Sequence, residues 1–245
     1  MDPLNWLRTR DWKFIVTRTP DRVLKRITLG HWIGTWEPEV WKRVKGITGG
    51  VFIDVGANIG SYSVRLHKNF RQVYAVEANP EAAEELRLNI EKRGIVNISI
   101  LRFAASDQDG RTPFYVDGTP GKCNGSADTI EPVFVYRPAS NLAVNMKTIG
   151  VMYPEKGRTM LMVDMHRLDN LPFLDGPVAL VKIDVEGAEF RVLDGMRGLL
   201  QRGLVKNLVV ELHDRERRGE LVSMLEHYGF KLSWVDLDHV YGRLG

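Results

Sequence analysis

The run Val51–Gly60, VFIDVGANIG, limits what this chain can become more than any other ten residues. Val51–Val55 is almost wholly apolar and of strand length, which suits a strand covered on both faces. Gly56 and Gly60 follow it directly, and glycine tolerates positive φ and lets a ligand approach the main chain. A helix over Gly60–Lys68 would then aim free amides at a negative group. A dinucleotide fingerprint wants glycine at 56, 58 and 61, but Asn58 and Ser61 stand at the last two positions, which argues against a nicotinamide cofactor.

The strand–turn–helix unit repeats downstream. Gln72–Glu77 is predicted as a strand, and Glu81–Arg93 as a helix with Asn79 as its cap, Pro80 at its first position and Gly94 past its end. Ile98–Ala104 is a third strand, leading into the turn Ser106–Gly110. Short strands are expected at Thr112–Val116, Lys147–Tyr153 and Thr159–Met165, among Gly, Pro and Asn. Regular alternation resumes with strand Val178–Asp184, helix Ala188–Arg202, a strand within Leu204–Leu212 and helix Gly219–Tyr228. Lys231–Val235 and His239–Tyr241 are terminal strands. This order predicts an α/β fold with a doubly wound, mostly parallel sheet, whose ligand lies beyond the carboxyl ends of the strands.

Length suits one domain over 47–245 with an insert at about 111–175, preceded by an N-terminal helical arm or lid at 1–46. That arm holds five of the six tryptophans (Trp6, Trp12, Trp32, Trp36 and Trp41), which are expected to pack on the main domain or to line a substrate mouth. Hydrophobic residues make up 44% and charged residues 27%, as in a protein with a real core. No apolar run is long enough for a membrane span, the first residues do not read as a signal peptide, and the single Cys123 fits a reducing, cytoplasmic setting. Ten Lys or Arg against four acids between Arg8 and Lys45 could meet nucleic acid, but a net charge of +3 is better read as a solvated helical face.

The strand ends carry the chemistry. Glu77 can accept hydrogen bonds from both hydroxyls of a ribose, and together with the Gly56–Gly60 loop it points to a nucleoside. Asp107 stands where a contact to the base would come, although Asp107–Gly110 is also simply a good turn. Asp184 and Glu186 follow the fourth strand; Glu211, His213 and Asp214 follow the fifth, its expected neighbour. Glu189 reads as a capping or intrahelical carboxylate. The remaining histidines, among them His166 and His239, show no metal spacing and are read as surface or packing residues.

Taken together, DVGANIGSYS (54–63), VEANP (76–80), AASDQDG (104–110), RLDNL (167–171) and KIDVEGAEFRVLDG (182–195) resemble the FkbM family of class I S-adenosylmethionine (SAM)-dependent methyltransferases. The resemblance implies an open seven-stranded class I (Rossmann-like) sheet with an antiparallel C-terminal strand, SAM as donor, and transfer to a hydroxyl of a sugar, glycan or small natural product. It implies that Asp54, Gly56, Asn58, Gly60, Glu77, Ala78, Ser106 and Asp107 bind the donor, and that Asp184, Glu186 and Glu189 face the acceptor. A hydroxyl is a poor nucleophile, so either Asp184, Glu186 or His213 takes its proton, or Mg²⁺ held by Asp184 and Glu211, with His213 a third candidate ligand, binds the alkoxide. The direct base is favoured. One rival is an RNA 2′-O-methyltransferase using Lys182, Asp184, Lys231 and Glu211; another is a SAM-binding module without catalysis.

Overall fold

A computed structural model of the chain describes residues 37–117, 128–130, 134–135, 151–152, 158–172, 174 and 176–245. Most of the expected arm, including Trp6, Trp12, Trp32 and Trp36, and much of the insert, including Cys123, lie outside the described residues.

The chain enters on α1 (Pro38–Val44), whose Val40 and Val44 are buried. β1 (Gly49–Val55) follows as the apolar run predicts, then α2 (Ser61–Leu66) with a 3₁₀ turn at His67–Asn69, β2 (Phe70–Val76) and α3 (Pro80–Lys92). The Asn79 side chain accepts from the Glu81 and Ala82 backbone N–H groups, so the predicted cap is present. β3 (Ile98–Leu101) stops three residues short of the expected strand. Its continuation, β4 (Ala104–Ala105), leaves the main sheet to pair with β8 (Arg158–His166), which also pairs with β5 (Gly110–Asp117). Between them a small ladder joins β6 (Phe134–Val135) and β7 (Val151–Met152).

β9 (Val178–Ile183) returns to the main sheet. The single helix expected over 188–202 is two: α4 (Glu189–Gly195) and α5 (Arg197–Gln201). Two contacts explain the break. A Cβ at Gly195 would lie 1.8 Å from the Ser106 carbonyl oxygen, so α4 is pressed onto that turn. Asp169 then caps a new helix start, accepting from the Gly198 and Leu199 N–H groups at 2.9 Å each. β10 (Asn207–Glu211), α6 (Arg218–His227), β11 (Phe230–Trp234) and β12 (His239–Leu244) complete the chain.

The main sheet has the order β11-β12-β10-β9-β1-β2-β3. Its pairings are parallel except for β12, which runs antiparallel to both β10 and β11. Period-two alternation sorts the side chains: Ile53, Val181, Ile183 and Val210 join the core beneath α4, α5 and α6, while Phe52, Leu180 and Val209 pack with Val40, Tyr62 and Leu66 on the other face. Trp41 belongs to that second layer, with the Arg65 guanidinium 3.4 Å from its ring centre. The carboxyl ends of β1, β2, β9 and β10 therefore open on one rim. Among the described residues, no helix is long and apolar enough to cross a membrane.

Candidate active site

The β1–α2 loop reaches across to the end of β9. Gly56 has φ +77°, and a Cβ there would lie 1.7 Å from the Asp184 carbonyl oxygen, so only glycine fits. Asn58, at φ +50°, turns its backbone N–H onto Glu77 Oε2 at 2.7 Å. The other carboxylate oxygen, Oε1, accepts the Asn79 N–H at 2.7 Å. Burial pushes the Glu77 carboxyl up to about 7, against the pull of these two amides. Gly56, Asn58, Glu77 and Ala78 line an open cleft, walled on its apolar side by Phe103, Phe114 and Ile130. That mixed lining, a few polar groups against an apolar wall, suits a nucleoside.

Four other sequence candidates are not among the residues of this lining. Asp54 is buried, and its Oδ2 accepts from the Ser63 N–H at 3.0 Å and the Ser63 hydroxyl at 2.6 Å, tying β1 to α2. Burial raises its pKa, with Lys182 working the other way. Gly60 packs on Leu86. The Ser106 hydroxyl donates to Asp107 Oδ1 at 2.9 Å, and Asp107 is paired with Arg191 at 3.0 Å. Conversely, sequence reasoning missed Asp128, which lines the cleft and accepts from Asn79 Nδ2 at 2.6 Å. Its signal was faint because it lies in the irregular insert.

Asp184 and Glu186 line the same cleft. Glu186 is held at φ +53°, a conformation costly for a residue with a side chain, followed by Gly187 at φ +104°. His213 sits beneath: its Nε2 is 3.1 Å from Glu186 Oε2, and its Nδ1 is 2.8 Å from Glu189 Oε1. Glu189 is buried and also accepts the Gly187 N–H at 2.8 Å, so it links the turn to the imidazole. Lys182 is buried with its Nζ 2.8 Å from Asp184 Oδ2.

These surroundings split the acids. Burial opposes the charge on Asp184, but Lys182 and His213 outweigh it and hold that carboxyl below the usual range. Burial pushes Glu186 up despite His213. Burial likewise opposes the charge on His213, yet its bonds to Glu186 and Glu189 carry it well above an ordinary histidine. Two carboxylates on one wall thus differ in basicity, with Glu186 the stronger base.

The Mg²⁺ candidates fall in two overlapping clusters: Asp184 converges with Glu186 and His213, Glu211 with Glu37 and His239, and Glu211 Oε1 also lies 3.7 Å from His213 Nε2. The expected lysine–aspartate–lysine–glutamate set does not assemble. Lys231 and Asn207 both pair with Arg243, whereas Glu211 pairs with His239 at the far end of β10. Four residues of strand, about 13 Å, separate those levels. His166 lies 3.3 Å from Asp109 Oδ1, away from the cleft lining. His239, read as a surface or packing residue, is instead buried among Asp236, Glu211 and Glu37.

A sheet of this strand order, with its one reversed strand and a glycine loop leaving β1, is the class I SAM-dependent methyltransferase fold. The chain belongs to the FkbM methyltransferase family, whose model, described as the methyltransferase FkbM domain, matches residues 54–232. It is 28% identical over 192 residues to the 31-O-demethyl-FK506 methyltransferase FkbM of Streptomyces tacrolimicus, covering 74% of this chain and 73% of that one. A 58-residue stretch is 34% identical to a tRNA/tmRNA (uracil-C(5))-methyltransferase of Actinobacillus pleuropneumoniae, covering 24% of this chain and 16% of that one. In structure it resembles the methyltransferase FkbM of Methylobacillus flagellatus with a TM-score of 0.50 at 14% identity. That likeness covers 94% of this chain and 57% of the other, and it shows the shared fold.

Proposed function

We propose that the chain moves the methyl group of SAM to a hydroxyl oxygen of a sugar, glycan or small natural product, with Glu186 as the base. The observation that carries this reading is that Glu186, its basicity raised by burial, shares one cleft wall with Gly56, Asn58 and Glu77. On the donor side, the Glu77 carboxylate spends one lone pair per oxygen on backbone amides and keeps others for ribose hydroxyls. Gly56, Asn58 and Ala78 form the walls around it. Asp54, Gly60, Ser106 and Asp107 act from behind, holding the loop and the neighbouring turn in place.

The transfer is an in-line displacement: the acceptor oxygen bonds to the methyl carbon as the carbon–sulfur bond breaks onto sulfur. Positioning supplies much of the rate. Glu186 takes the hydroxyl proton; Asp184, a weak base beside Lys182, orients the acceptor by accepting a hydrogen bond; His213 steadies the charge on Glu186. The wall formed by Asp184 and Glu186 favours a neutral or cationic acceptor over a phosphorylated one, which counts against RNA. A metal-assisted route is not favoured, because Lys182 already supplies the cation at Asp184. The Streptomyces relative, a 31-O-demethyl-FK506 methyltransferase, supports an oxygen acceptor.

The test is S-adenosylhomocysteine formation from SAM across a panel of polyols, glycans, macrolide-type alcohols and RNA. Turnover with a neutral hydroxylated acceptor is expected. Turnover with RNA alone, or tight SAM binding with no turnover on any acceptor, would replace this reading with one of its rivals.

A further inference from the structure

Beyond the proposed reaction, the carboxyl rim of the sheet carries a second convergence of ligating groups. His239 opens β12 and is almost fully buried. Its Nδ1 lies 2.9 Å from Asp236 Oδ1, an oxygen that also accepts the Asp238 and His239 backbone N–H groups at 2.9 and 2.8 Å. One carboxylate thus fixes the ring's orientation. The other nitrogen, Nε2, is buried and makes no hydrogen bond. It points toward Glu211 Oε2 at 3.3 Å and Glu37 Oε2 at 3.7 Å.

We propose that Glu37, Glu211 and His239 bind one divalent transition-metal ion, with Asp236 as the outer carboxylate that orients the imidazole. One ligand atom from each residue lies within 4.8 Å of the others. Donors held at about 2.0–2.2 Å from zinc stand roughly 3–4 Å apart, so small side-chain shifts close the site. A carboxylate behind a ligating histidine is the common supporting arrangement in such centres. An imidazole beside two carboxylates suits Zn²⁺ or a similar ion better than Mg²⁺ or Ca²⁺. The neighbouring trio Asp184, Glu186 and His213 is less available, because His213 Nε2 is taken by Glu186 and Asp184 by Lys182. Binding at Glu37 would tie the segment before α1, already held by the Tyr62 hydroxyl at 2.6 Å, to the ends of β10 and β12.

Equilibrium dialysis of the full chain against Zn²⁺, with metal counted by mass spectrometry, tests this directly. A parallel titration with Co²⁺ reads the ligand field from visible absorption. One ion per chain is expected, with affinity falling about tenfold or more in His239→Gln and Glu211→Gln, while Glu186→Gln still retains the ion. If His239→Gln fails to fold, Glu37→Gln carries the same expectation: the rise in Tm that Zn²⁺ gives the parent chain should vanish. No retained ion, retention undiminished in His239→Gln or Glu37→Gln, or loss in Glu186→Gln instead would overturn the proposal. Its failure would leave the methyl-transfer reading untouched, since no step of that reaction uses Glu37 or His239.

Discussion

Glu189 Oε1 stands 2.8 Å from His213 Nδ1 and accepts the Gly187 N–H at the same distance, so one oxygen fixes both the Glu186–Gly187 turn and the imidazole behind it. Glu189→Gln keeps the shape and removes the charge. The pKa of His213 should then fall and kcat should drop about 10–100-fold, with the acid limb of the pH–rate profile displaced. The dissociation constant for SAM should stay within about twofold. Calorimetry together with steady-state kinetics at several pH values checks this; equal loss of SAM binding would reduce Glu189 to a packing role.

If Glu186 is the base, Glu186→Gln should cost about 10²–10⁴-fold in kcat, the usual worth of a positioned proton acceptor. Asp184→Asn should chiefly raise KM for the acceptor and weaken the fold, because it leaves Lys182 buried without its partner. Kinetics of both variants, with thermal melts alongside, separate the two roles. A larger kcat loss in Asp184→Asn than in Glu186→Gln would exchange them.

If Glu77 holds the donor ribose, SAM binding should depend on pH. The Glu77 carboxyl is raised to about 7 in the folded protein, against an ordinary value of 4.5. The native state therefore holds a proton that the unfolded chain has lost between those values. This contribution to stability is fully present below 4.5 and is lost as pH rises through 7, at up to about 1.4 kcal/mol per pH unit. SAM binding should run the opposite way. Ribose hydroxyls donating to the carboxylate favour its charged form, so affinity should rise from pH 6 to 8 and level off above. Calorimetric titrations across that range test the slope, and Glu77→Gln should flatten it.

At Gly56 any side chain meets a positive φ and the Asp184 carbonyl together. Gly56→Ala should cost at least about 2 kcal/mol in stability, of which 1–2 is the backbone conformation alone. It should also abolish measurable SAM binding. Denaturant melts and calorimetry check both; a fully stable Gly56→Ala would mean that β1 and β9 can part at their ends.

The succession of strands and helices, the Asn79 cap and the pairing of the Gly56–Gly60 loop with Glu77 were readable in the chain, because each depends on local spacing and alternation; the strand order came only with the family resemblance. The break between α4 and α5 was not. It arises from the Ser106 carbonyl and the Asp169 carboxylate, both distant in sequence, pressing on a stretch with good helical periodicity. The same limit hid the surroundings of His239. Its neighbours Glu211 and Glu37 come from β10 and from the residue before α1, and nothing in the local run WVDLDHV signals them beyond an aspartate three residues earlier. Asp107 shows the reverse case: a good local turn, whose carboxylate is turned to Arg191.

The contact between Gly56 and the Asp184 carbonyl has a further consequence for how such an enzyme can change. Under the proposed roles, the places where the donor is held and where the proton is taken are surveyed from a single fixed mark, the backbone at the ends of β1 and β9. Their separation cannot drift without parting two central strands. Retargeting the enzyme to another alcohol would then leave 54–58 and 182–186 alone.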